Sequence, residues 1–127
     1  MILDTDILVW VLRNHGPALR FVDSIPLARR NLSSVTYLEL LDGSHGSRDL
    51  RSVKKLVEDV FAEVIPLSEA ITRTAIRLME EFVLAYRIGV EDALIAATAL
   101  DRQDSLATGN EKHFRMIPGL ELKVFRP

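Results

Sequence analysis

Asp4 and Asp6 interrupt an otherwise apolar opening, MILDTDILVW, with only Thr5 between them. Such a run reads as a buried strand passing into a helix, where an ionised carboxylate is costly unless a partner or a metal compensates. Two further acids stand in comparable places: Glu39 within SSVTYLELLDGS, and Asp92 at the start of the helical segment in VEDALIAATAL. After the apolar run SLAT comes TGN, Thr108 to Asn110, which adds a hydroxyl and a neutral amide. Each residue also has an ordinary structural use. Asp4 or Asp6 would cap a first helix, Thr36 and Glu39 match a capping box, Asp92 would complement a helix dipole, and Gly109–Asn110 would form a tight turn.

The helical faces weigh against a purely structural use. Asp92 shares its stripe with Ile95, Ala96 and Ala99, so its side chain points toward packed structure. Glu39 lies in line with Thr36 and Gly43, small neighbours that leave room for something to approach. Three acids gathered from three elements would repel one another, and a hard cation removes that conflict. Mg²⁺ or Mn²⁺ suits carboxylate oxygens and retained water. The histidines, His15, His45 and His113, lack a zinc-helix spacing, and there is no cysteine. A carboxylate-held Mg²⁺ lowers the pKa of a bound water and stabilises charge on a phosphoryl group, which is the chemistry of phosphodiester hydrolysis.

The elements that must position these groups follow from periodicity and punctuation. Residues 1–4 read as a strand and ILVWVL as a helix stopped by NHGP; PALRFVDSI is a second helix with Pro17 in its first turn. RRNLSS reads as a strand, followed by a helix from about Val35 to Leu41 closed by Gly43. GSHGS is a loop with Ser47 placed to cap the next helix. From Arg48 to Ala62 the residues Leu50, Val53, Leu56, Val57, Val60 and Phe61 recur at helical spacing. EVIPL is strand-like, and Ser68 begins a helix to Tyr86 whose inner face is Ile71, Ala75, Leu78, Met79, Phe82 and Val83. A helix from Glu91 to Arg102 and strands at SLAT and LKVF complete the chain. Short apolar strands alternating with helices predict a single three-layer α/β/α domain over residues 1–127, with a mostly parallel central sheet. Ligands of such sheets bind outside the carboxyl ends of the strands, where the unusual polar residues fall.

The 127 residues are 48% apolar, enough to build a core in one domain. A net charge of -2 excludes a generic nucleic-acid coat but not an enzyme that engages nucleic acid locally. The absence of cysteine suits a cytoplasmic protein, and no segment is apolar for long enough to span a membrane.

With those residues placed, the chain resembles a PIN-domain ribonuclease, and most closely the VapC-type toxins of prokaryotic toxin–antitoxin modules. The resemblance rests on LDTDILV, SSVTYLELLDGS, VEDALIAATAL and LATGNEKHF, in order and over nearly the whole length. It implies that Asp4, Glu39 and Asp92 are the catalytic, metal-binding acids of an Mg²⁺- or Mn²⁺-dependent endoribonuclease. Where the family commonly has a fourth carboxylate, this chain has Asn110 preceded by Thr108, so both are expected to support the centre. Asp6 stands where the family often has Asn, which implies a supporting role, outside the metal's ligands or as the first helix cap. Arg13, Lys112, His113 and Arg115 flank the site and are expected to contact RNA phosphates. The resemblance further implies a homodimer and a cognate antitoxin that enters the acidic groove, held by the helix pair 48–62 and 68–86. Two alternatives remain: a catalytically silent domain of the same fold, and a haloacid-dehalogenase-like phosphatase using Asp4 as nucleophile in LDTD.

Overall fold

The computed structural model describes residues 1–127 throughout. Five short strands, β1 (Ile2–Leu3), β2 (Asn31–Ser33), β3 (Glu63–Ile65), β4 (Leu106–Thr108) and β5 (Leu122–Val124), form one sheet in the order β3-β2-β1-β4-β5. Every pairing is parallel. Because side chains alternate across a strand, neighbouring residues feed opposite faces. Ile2, Ile65 and Leu106 enter one core, whereas Leu3, Leu32 and Ala107 enter the other. The strands are apolar on both faces because helices cover both, the expected arrangement for a parallel sheet.

Six helices make the outer layers: α1 (Thr5–Leu12), α2 (Gly16–Asp23), α3 (Ser34–Asp42), α4 (Ser47–Val60), α5 (Glu69–Tyr86) and α6 (Val90–Arg102). Helices α1, α2 and α4 bury Ile7, Leu8, Ala18, Val22, Val53, Leu56 and Val57 against one face. Helices α5 and α6 pack Ile71, Ala75, Leu78, Phe82, Ile95 and Ala96 on the other, around a fully buried Phe114. Helix α3 divides its apolar residues, giving Val35 to one core and Leu40 to the other. Two 3₁₀ turns, Leu27–Arg29 and Glu111–His113, lie in connections. No helix is long and apolar enough to cross a membrane.

Several local expectations are corrected. Ser33 caps α3, its Oγ accepting from Val35 N at 3.1 Å, so Thr36 and Glu39 form no capping box. The strand β2 ends earlier than that box requires, which leaves Thr36 buried inside the helix and Glu39 one turn further along. Ser47 does not cap α4: Gly46 holds that position without a side-chain bond, and the Asp49 carboxylate instead accepts from His45 N. Leu50, expected on the inner face of α4, is 45% exposed. The helix also ends at Val60, where Ala62 N turns to donate to Arg30 O beside β2. The Ser68 cap and the helix ending at Tyr86 stand as read, with Ser68 Oγ accepting from Ile71 N.

Candidate active site

The strand order reverses direction between β1 and β4, so a crevice opens at their carboxyl ends. The register pairs Leu3 with Ala107, which places Asp4 directly beside Thr108. Asp4 is the N-cap of α1: Oδ1 accepts from Thr5 N at 2.8 Å, and Oδ2 accepts from Thr108 Oγ1 at 2.7 Å. Thr108 Oγ1 accepts in turn from Asn110 N at 2.9 Å. Capping therefore uses one oxygen of Asp4, while the other is held by the neighbouring strand end.

Glu39 reaches the same end of the sheet from α3. Thr5 Oγ1 donates to Glu39 Oε1 at 2.8 Å and lies 3.0 Å from the buried Thr36 Oγ1, so a threonine pair fixes this carboxylate. Asp92 comes from the first turn of α6, half-buried, with Oδ2 3.0 Å from His113 Nδ1. Asp6, in the first turn of α1, does not cap that helix. Its Oδ2 accepts from Gly109 N at 2.9 Å and from Asn110 Nδ2 at 3.4 Å, while its Oδ1 is closed to solvent and has no partner.

The acids perturb one another. Asp4 is only 4% exposed, and burial, with repulsion from Asp6 and Asp92, pushes its carboxyl up to about 7 against the hydrogen bonds from Thr108 and Thr5. Burial likewise raises Asp6, offset by the Gly109 amide. Glu39 is raised by burial and by Glu91 and Asp92, against the Thr5 hydroxyl. Asp92 is raised by burial, with His113 opposing and Glu91 and Asp6 reinforcing. This mutual repulsion puts the three expected acids and Asp6 in one electrostatic neighbourhood. No three of the chain's carboxylates and imidazoles close on a common point, so the arrangement is an open acidic rim and not a preformed cage.

The expected phosphate contacts divide. His113 is engaged with Asp92. The Arg13 guanidinium lies over the Trp10 ring, 5.7 Å from its centroid, and lines a cleft of about 470 Å³ that runs from Thr5 and Glu39 to Ser52 and Val53 of α4. Lys112 is exposed within the 3₁₀ turn and Arg115 just beyond it. Sequence reasoning missed Thr5 and Gly109. The signal for Thr5 was its place between two acids, and for Gly109 its place directly before Asn110.

Comparison with known proteins agrees with this geometry. The PIN domain family model matches residues 1–120. Ribonuclease VapC1 of Haemophilus influenzae strain R2866 is 30% identical, over 94% of this chain and 92% of that protein. Among solved structures, VapBC2 from Rickettsia felis bound to a promoter DNA fragment superposes with a TM-score of 0.83 at 26% identity, covering 98% of both chains. VapBC-1 from nontypeable Haemophilus influenzae superposes with a TM-score of 0.77 at 27% identity, covering 98% of this chain and 96% of that one. Family match, strand order and the acidic rim at the β1–β4 crevice lead to one assignment: the chain belongs to the PIN domain family.

Proposed function

We propose that the chain is an Mg²⁺- or Mn²⁺-dependent endoribonuclease and the toxin of a toxin–antitoxin pair. The observation that carries this reading is Asp4, a carboxyl held at the sheet's crevice with its pKa pushed up to about 7. Burying an acid beside other acids destabilises the free protein, and a divalent cation is the partner that reverses the cost. The donor set fits a hard ion, since the groups at the rim are carboxylate and hydroxyl oxygens. Asp4, Glu39 and Asp92 would hold it, with water completing the open coordination. When bound, the ion supplies a water of lowered pKa and neutralises charge on the phosphoryl group.

The remaining residues act on position. Thr108 orients Asp4, Thr5 and Thr36 orient Glu39, and His113 orients Asp92. One of the three acids turns the attacking water toward the phosphorus. Arg13 on its Trp10 platform, Lys112 and Arg115 take RNA phosphates. The similarity to VapC1, named as a ribonuclease, and to the VapBC structures supports the RNA substrate and an antitoxin partner. The homodimer rests on the family resemblance. Family membership sets aside the phosphatase alternative. One observation favours the silent-domain alternative, namely that no three acids close on a common point.

Cleavage of a mixed cellular RNA pool, including tRNA, distinguishes the two. Purified protein is assayed with Mg²⁺, with Mn²⁺ and with chelator, and Asp92→Asn serves as contamination control. Discrete products that need metal and vanish in the variant are expected. Metal-independent products, or equal cleavage by Asp92→Asn, would refute the enzyme as described.

A further inference from the structure

We infer that Asp6 is a direct ligand of the divalent ion, its unpartnered oxygen supplying a fourth carboxylate to the centre formed by Asp4, Glu39 and Asp92. This rests on reading that centre as a metal site, and it assigns Asp6 more than the supporting role expected from sequence.

The argument begins with what turn support requires. Gly109 N needs one acceptor, and Asp6 Oδ2 provides it at 2.9 Å; the same oxygen takes the weaker contact from Asn110 Nδ2. An asparagine would serve equally well, offering its carbonyl to Gly109 and its amide to any nearby acceptor. Such an acceptor is present in the neighbouring Asp4 carboxyl. The chain instead places a second carboxylate there, with Oδ1 closed to solvent and lacking any donor. A sealed, unsatisfied carboxylate oxygen beside another acid is unfavourable on two counts, desolvation and repulsion. The Gly109 and Ile7 amides and His113 offset part of this cost, and a cation held by Asp4 would offset the remainder of both.

The loop after β4 is shaped for this acid. A Cβ at Gly109 would stand 2.5 Å from Asp6 Oδ2 and 3.4 Å from Phe125 O. Gly109 does not adopt a positive φ, so the glycine serves close approach and not an unusual backbone. The loop itself brings only a neutral hydroxyl and a neutral amide, Thr108 and Asn110, to the rim. Asp6 is the acid that reaches the loop while standing close enough to Asp4 and Asp92 to repel both.

The test uses Eu³⁺ as an oxygen-seeking probe, whose luminescence lifetimes in H₂O and D₂O count the waters it retains. Wild type, Asp4→Asn, Asp6→Asn and Gly109→Ala are compared, with circular dichroism as the fold control. A ligand role predicts that Asp6→Asn weakens binding by about tenfold or more and that the remaining complex carries at least one additional water. Gly109→Ala, which displaces the carboxylate while leaving Asp6 in place, should act in the same direction and carries the test if Asp6→Asn does not fold. Unchanged affinity and water count in Asp6→Asn, with binding lost in Asp4→Asn, would overturn the inference while sparing the metal centre. Weaker binding with an unchanged water count would also overturn it, placing Asp6 outside the coordination shell. Absence of saturable binding by wild type would remove the centre, and the inference with it.

Discussion

Replacing Asp4 by asparagine should stabilise the metal-free protein above neutral pH. The folded protein raises this carboxyl from 3.8 to about 7, so between those values it binds more protons than the unfolded chain. Stability therefore falls as pH rises through that window and levels off above it. At about 1.4 kcal/mol per pKa unit, the full span is worth about 4 kcal/mol. Asparagine removes the charge but turns one acceptor into a donor beside either Thr5 N or Thr108 Oγ1, a loss of about 1–2 kcal/mol. The net expectation at about pH 8 is a variant more stable by about 2–3 kcal/mol, shrinking as pH falls and changing sign near about pH 5, where the folded wild-type carboxyl is already neutral. Urea unfolding in chelator across this range measures it. Added Mn²⁺ should then stabilise wild type and leave the variant unmoved. A wild type at least as stable as Asp4→Asn in chelator at about pH 8 would refute the claim that this acid is held at a cost.

Two other outcomes follow from single contacts. Thr5→Val keeps shape but removes the donor to Glu39 Oε1. It should lower kcat/KM on an identified RNA by about tenfold while changing stability by no more than about 1 kcal/mol; unchanged turnover would deny Thr5 a positioning role. Phe114→Ala empties a site that is 0% exposed and should cost about 3–5 kcal/mol, read as a lower urea midpoint at unchanged slope. A smaller midpoint shift, worth under about 1 kcal/mol, would mean that the core closes over the gap.

The alternation of short apolar strands with helices was legible because it is local. Strand residues buried on both faces must be apolar, as Ile2, Leu3, Leu106 and Ala107 are. The amphipathic stripe of α5 and the Ser68 cap are likewise written in adjacent residues. Caps within clusters of eligible residues were not legible: Ser33, Ser34 and Thr36 can all cap, and the choice fell to the point where β2 leaves the sheet. The inner face of α4 was read one turn too long, since periodicity places Leu50 on the stripe but carries no information about where the packed layer beneath it begins.

For the site, the sequence by itself determined which acids exist and which elements carry them. What faces what was a tertiary decision. The strand order β3-β2-β1-β4-β5 sets Asp4 against Thr108, 104 residues away, and brings Gly109 N onto Asp6. The same packing sets Thr5 of α1 on Glu39 of α3 and His113 on Asp92. Propensity and periodicity act over a few residues along the chain, whereas hydrogen bonds and charge repulsion act over a few ångströms in space. Only the parallel sheet converts the first kind of distance into the second.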